Sequence, residues 1–145
     1  MTNLSIMLSM LEENQTLKIT PIGSSMCPFF YGGRDNVYLQ RPHFPLKRGD
    51  IALFQREDGT QVIHRIHHTK LSSGERLYYM LGDNQTCLEG PIKESQIFAK
   101  AVKILRKGKL IDCQRNYLYR IAAAAWLILR PIRPVFMHLW NSVRR

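Results

Sequence analysis

Apolar positions change their spacing several times along the chain, and each change marks an element. Leu4, Met7, Leu8 and Leu11 recur at helical intervals, so residues 3–13 are predicted as a short amphipathic helix. Residues 17–22 alternate as a strand does, and Gly23 then turns the chain. Residues 37–40 form a second short strand, followed by a loop punctuated by Pro42, Pro45 and Gly49. The runs 51–54 and 60–67 flank Asp58-Gly59, the strongest hairpin signal in the chain. Residues 77–81 make another strand, entered through Ser72-Ser73-Gly74. Residues 96–105 read as the last strand, closed by the basic turn Arg106-Lys107-Gly108-Lys109. Short strands with turn residues at this spacing predict a mainly β domain, coiled-sheet or barrel-like, over residues 1–112.

Residues 113–145 are of another kind. The apolar run 121–129 would make a helix about 14 Å long, against a bilayer core of about 30 Å. Pro131 and Pro134 interrupt any continuation. With Trp126, Phe136 and Trp140 among arginines, the segment is expected to be an amphipathic helical tail lying at a membrane surface. The plainer alternative is a helix packed on the domain.

The chain has 145 residues, enough for one domain and its core. Its net charge of +10 draws it to something anionic. The stretch 115–145 holds six arginines and no acidic residue, interleaved with apolar side chains, which suits lipid better than a nucleic-acid groove. No DNA-binding helix pair precedes the β region, so no nucleic-acid partner is expected. Three cysteines without a pairing pattern do not suggest a disulfide framework. The first fifteen residues lack a basic n-region and carry Glu12 and Glu13, so no secretory signal is expected there. Both features favour a reducing, cytoplasmic setting, with the protein free or peripheral on the cytoplasmic face of the membrane.

Three segments carry candidate chemistry. In Gly23-Ser24-Ser25-Met26-Cys27-Pro28, Ser25 follows a strand-ending glycine on an exposed turn, where nearby backbone N–H groups can face an oxyanion. Ser24 and Met26 flank it as candidates for oxyanion or substrate contacts. A serine needs a base to become a nucleophile. His64, in Val62-Ile63-His64-Arg65-Ile66, has an ordinary pKa suited to that work, although a histidine on an apolar strand face is more often structural. His67 and His68 follow, but no carboxylate or CxxC spacing accompanies them, so no metal is expected. Gly82-Asp83-Asn84 ends a strand; it is either a turn or the place where Asp83 orients the imidazole, with Glu89 as a second acid. Cys27 has no neighbour that would lower its pKa and is not expected to be the nucleophile.

Together, Gly23-x-Ser25-Met26-x-Pro28, then Lys47-Arg48-Gly49-Asp50-Ile51-x-Leu53-Phe54, then Val62-Ile63-His64-Arg65-Ile66, then Gly82-Asp83-Asn84 resemble the signal peptidase I-like serine peptidases. That family shares a superfamily with the LexA-type self-cleaving repressors. The likeness runs over residues 17–109 and closes on Phe98-Ala99-Lys100-Ala101-Val102. It implies a mostly antiparallel β fold of the signal-peptidase type, and proteolysis of a peptide or pre-protein without metal or cofactor. Ser25 takes the nucleophile's position. His64 takes the base position, lysine in the common bacterial enzymes and histidine in the endoplasmic-reticulum and archaeal type. Asp83 and Glu89 remain joint candidates for the acid. Many family members carry Ser-Gly-Ser-Met; the matching first position is Gly23, which leaves more of the oxyanion work to backbone N–H groups. Neither the family's N-terminal span nor its large second β domain is expected, so the likeness is to short stand-alone members. The alternative is a catalytically degenerate peptidase fold that binds peptides or membranes.

Overall fold

The computed structural model of the chain describes residues 3–143. Helix α1 (Asn3–Glu12) buries Leu11 against the sheet, with Met7 packed beside it. It ends as the sequence pattern demands: Asn14 turns left-handed (φ 57°), and the Asn14 and Gln15 N–H groups donate to Leu11 O and Met10 O.

Eight strands follow: β1 (Leu17–Ile19), β2 (Asn36–Gln40), β3 (Ile51–Gln55), β4 (Gln61–Ser72), β5 (Glu75–Leu81), β6 (Glu89–Lys93), β7 (Ile97–Arg106) and β8 (Lys109–Asp112). The sheet order is β1-β2-β7-β3-β4-β5-β6, with β8 also paired to β7, and every ladder is antiparallel. Among the described residues no ladder joins β1 to β6. The sheet is therefore open and does not close into a barrel. The sequence pattern missed β6 and β8, both short and poor in apolar alternation.

Both faces of the central strands are covered. Leu53, Ile51, Val37, Leu39, Ala99, Ala101 and Ile104 lie in one core, and Ala52, Phe54, Ile66, Tyr78 and Met80 in the other. This explains why 51–54 is an unbroken apolar run rather than an alternating one. The tight turns obey their residues. Ser73-Gly74 and Lys107-Gly108 have positive φ at both positions, as a two-residue hairpin of matching twist requires. At Asp58-Gly59 the Asp58 carboxylate accepts from the Thr60 N–H, and Gly59 lies at φ 88°.

The chain ends in α2 (Tyr117–Ile128), a short turn at Arg130–Ile132, and α3 (Arg133–Val143). Asn116 caps α2 by accepting from the Tyr119 N–H. Among the described residues no helix is long and apolar enough to cross a membrane.

Candidate active site

The loop carrying Ser25 is cinched at its base. Gly32 N–H donates to Gly23 O (2.9 Å) and Gly33 N–H to Pro21 O (2.8 Å). Gly32 has no room for a side chain, since a Cβ there would lie 2.2 Å from Gly23 O. Met26 and Phe30 anchor the loop in the core, while Ser24 is exposed and Ser25 half-buried. Among the described residues the Ser25 and Met26 N–H groups meet no hydrogen-bond acceptor, so both remain available as donors. Cys27 is buried.

His64 lies in the middle of β4 with its ring against Phe54, centroids 6.0 Å apart. It is 2% exposed. Strand β4 pairs with β5 up to Arg65 opposite Leu81, so one further step sets Gly82 across from His64. The turn that begins at Gly82 touches the serine loop directly: Asn84 N–H donates to Ser25 O (2.8 Å), and a Cβ on Gly82 would lie 2.8 Å from that same oxygen. Backbone contacts thus bring the Ser25 loop and the His64 strand to one turn. Among the described residues no hydrogen bond joins the Ser25 hydroxyl to the His64 ring.

The two candidate acids part company. Asp83 is fully buried and receives two bonds from Arg65, Nε to Oδ1 and Nη2 to Oδ2, both 2.8 Å. Arg65 also donates from Nη1 to Gly49 O (3.0 Å) and Tyr119 Oη (3.1 Å), and its guanidinium lies 4.7 Å from the Phe29 ring centroid. Burial works against the Arg65 charge, but Asp83 more than offsets it, so the Arg65 pKa stands above its ordinary value. Glu89, at the start of β6, faces His64 instead, with its Oε1 3.7 Å from His64 Nδ1. Arg56 clamps Glu89 through Nε to Oε2 and through Nη2 to Oε1 (2.9 Å).

His64 Nδ1 is the single buried side-chain nitrogen or oxygen among the described residues that lacks a hydrogen-bond partner. Burial pushes the His64 pKa below its ordinary value; Glu89 opposes this, Arg56 adds to it, and Asp83 opposes it. The imidazole is therefore neutral at pH 7 and able to accept a proton. An open cleft of about 680 Å³ adjoins this corner, lined by Arg56, Glu89, Thr86, Leu88 and Met137 among others.

His67 and His68 lie at a β-bulge, Nδ1 to Nδ1 2.9 Å, with His68 stacked on Tyr79. Among the described residues no three His, Cys, Asp or Glu side chains gather as a metal site would require.

The pattern along the chain did not single out Arg56 or Arg65 as partners of the candidate acids. Arg65 alone left a trace, as a charge inside the apolar strand 62–66. Compared with known proteins, the chain matches no family model and no curated sequence.

Proposed function

We propose that the protein is a serine endopeptidase of the signal-peptidase type, with a domain fold of that family, cleaving leader-type peptides or pre-proteins. The observation that carries this reading is the buried, unpartnered Nδ1 of His64 facing Glu89 at 3.7 Å. Most buried side-chain nitrogens are satisfied, and an unsatisfied one calls for a reason such as a catalytic role. In the proposed mechanism Glu89 holds the Nδ1–H tautomer, which leaves Nε2 to take the proton of Ser25 as its hydroxyl attacks the scissile carbonyl. The free Ser25 and Met26 N–H groups receive the oxyanion. His64 then returns the proton to the leaving amine, and water releases the acyl-enzyme. Asp83 serves by fixing Arg65 and with it the turn beside Ser25.

The tail supports a membrane-surface setting. Tyr117, Ile121 and Ile128 on α2 and Val135, Leu139 and Val143 on α3 are exposed at helical spacing. Arg115 and Arg120 beside them favour an anionic lipid surface. We propose a cytoplasmic setting, with the protein free or peripheral on the cytoplasmic face of the membrane.

The test is cleavage of a diverse peptide library in mild detergent, read by mass spectrometry, with wild type, Ser25→Ala and His64→Ala. Cuts lost in both variants support the reading; Ser25→Ala cutting at the wild-type rate ends it. A second reading, a non-catalytic peptide- or membrane-binding module, draws on the missing Ser25–His64 hydrogen bond. Undiminished cellular function of Ser25→Ala, together with no cuts by wild type, would favour it.

A further inference from the structure

The turn after β5 is held from one side by the C-terminal helices. Trp126 Nε1 donates to Asp83 O (2.7 Å), Arg133 Nη1 to Gly82 O (3.2 Å) and Gln85 O (2.9 Å), and Arg130 Nε to Thr86 O (2.8 Å). Four of the five carbonyls from Gly82 to Thr86 thus accept from α2, α3 or the turn between them. Arg133 is 1% exposed and, among the described residues, has no carboxylate at ion-pair distance. Its Nε and Nη2 instead return to Trp126 O (3.1 and 2.8 Å), locking α3 to α2, with the guanidinium 5.3 Å from the Trp126 ring centroid. Burying a lone cation is costly, and an apolar side chain of similar size would be cheaper to bury. What arginine supplies is a rigid fork of donors aimed at carbonyls.

The same turn has catalytic neighbours on its other side. Asn84 N–H holds Ser25 O, and the chain leaving Thr86 reaches Glu89 within three residues. We propose that Trp126 and Arg133 are positioning residues of the active site, fixing through this turn both the Ser25 loop and the Glu89 carboxylate. The inference rests on the peptidase reading for its role in turnover, but the mechanical coupling can be observed without substrate. The C-terminal helices are then an integral wall of the site as well as its contact with lipid.

The test uses the full chain with Trp126→Phe, which keeps the ring against Phe29 and Phe136 and removes one donor, and with Arg133→Gln. Amide exchange at Asn84 and titration of the His64 ring are followed by NMR. Exchange at Asn84 is expected to quicken about tenfold or more in each variant, and the His64 pKa to fall as Glu89 moves off. On a cleaved peptide, kcat is expected to drop about 10- to 100-fold with KM held, while Trp126→Phe melts close to wild type. Unchanged Asn84 protection and an unchanged His64 titration in a folded Trp126→Phe would overturn the proposal, as would wild-type kcat in that variant. If wild type cleaves nothing yet both NMR signals shift, the positioning by the tail stands and the peptidase reading is what fails.

Discussion

Asp83→Asn removes one charge from a pair that has no solvent to replace it. Arg65 and Asp83 are both 0% exposed, and two 2.8 Å bonds join them. The asparagine keeps an acceptor for Arg65 Nε but turns an NH2 group toward Nη2. The guanidinium retains Gly49 O, Tyr119 Oη and the Phe29 ring, none of which carries a negative charge. Breaking a buried pair from one side typically costs about 3–5 kcal/mol. For a chain of this size that corresponds to a fall in melting temperature of roughly 10–15 °C. Urea denaturation is expected to show a lower midpoint with an unchanged slope. Arg65→Met combined with Asp83→Leu is expected to recover much of the loss, because neither charge is then stranded. The folded fraction of Asp83→Asn should still cleave, since the carboxylate facing His64 belongs to Glu89. A stability change under about 1 kcal/mol would refute the account of Arg65 as a buried cation neutralised by Asp83. Intact stability with turnover abolished would put Asp83 in the chemistry after all.

Glu89→Gln is expected to leave the fold intact and lower kcat by up to about 10⁴-fold, the scale seen when a triad acid is neutralised; wild-type kcat would remove Glu89 from the mechanism. The acidic limb of the kcat/KM profile should lie below pH 6.5, because burial depresses the His64 pKa and keeps the base neutral further into acid; a limb above pH 6.5 would contradict this. Stability should be complete above pH 6.5 and decline toward pH 4. There the unfolded chain takes up protons at His64 and His67 that the folded chain refuses, His67 being pushed down to about 4 by burial and by His68 and Arg48. Urea midpoints that do not move between pH 7 and pH 5 would exclude that linkage. Gly32→Ala forces a Cβ to within 2.2 Å of Gly23 O and is expected to cost roughly 1–3 kcal/mol and to slow turnover by prising open the serine loop; a neutral substitution would show that the loop is not cinched there.

Much of the fold was legible residue by residue. The i, i+3, i+4 spacing of Leu4 to Leu11, the Asp58-Gly59 turn and the apolar run 51–54 each depend on neighbours a few positions away, and each forms as its pattern predicts. The pattern left a coiled sheet and a barrel-like sheet as alternatives, because closure is a property of the two outermost strands. Here these are the three-residue β1 and a β6 that carries Gly90 and Pro91. Strand β8 escaped notice because its two apolar residues, Leu110 and Ile111, are adjacent and do not alternate with polar ones.

The sequence by itself determined the local vocabulary: which segments bury a face, where the chain turns, and that a serine on a turn and a histidine on an apolar strand are both present. Periodicity and turn chemistry act within a few residues and need no knowledge of the rest of the chain. Tertiary structure alone decided which acid faces the histidine, for Arg56 reaches Glu89 across 33 positions and Arg65 reaches Asp83 across 18. It alone decided that the tail packs on the turn after β5, since Arg133 meets Gly82 across 51 positions. Such contacts arise because a buried charge must find partners wherever the folded chain presents them, and no local pattern records where that is.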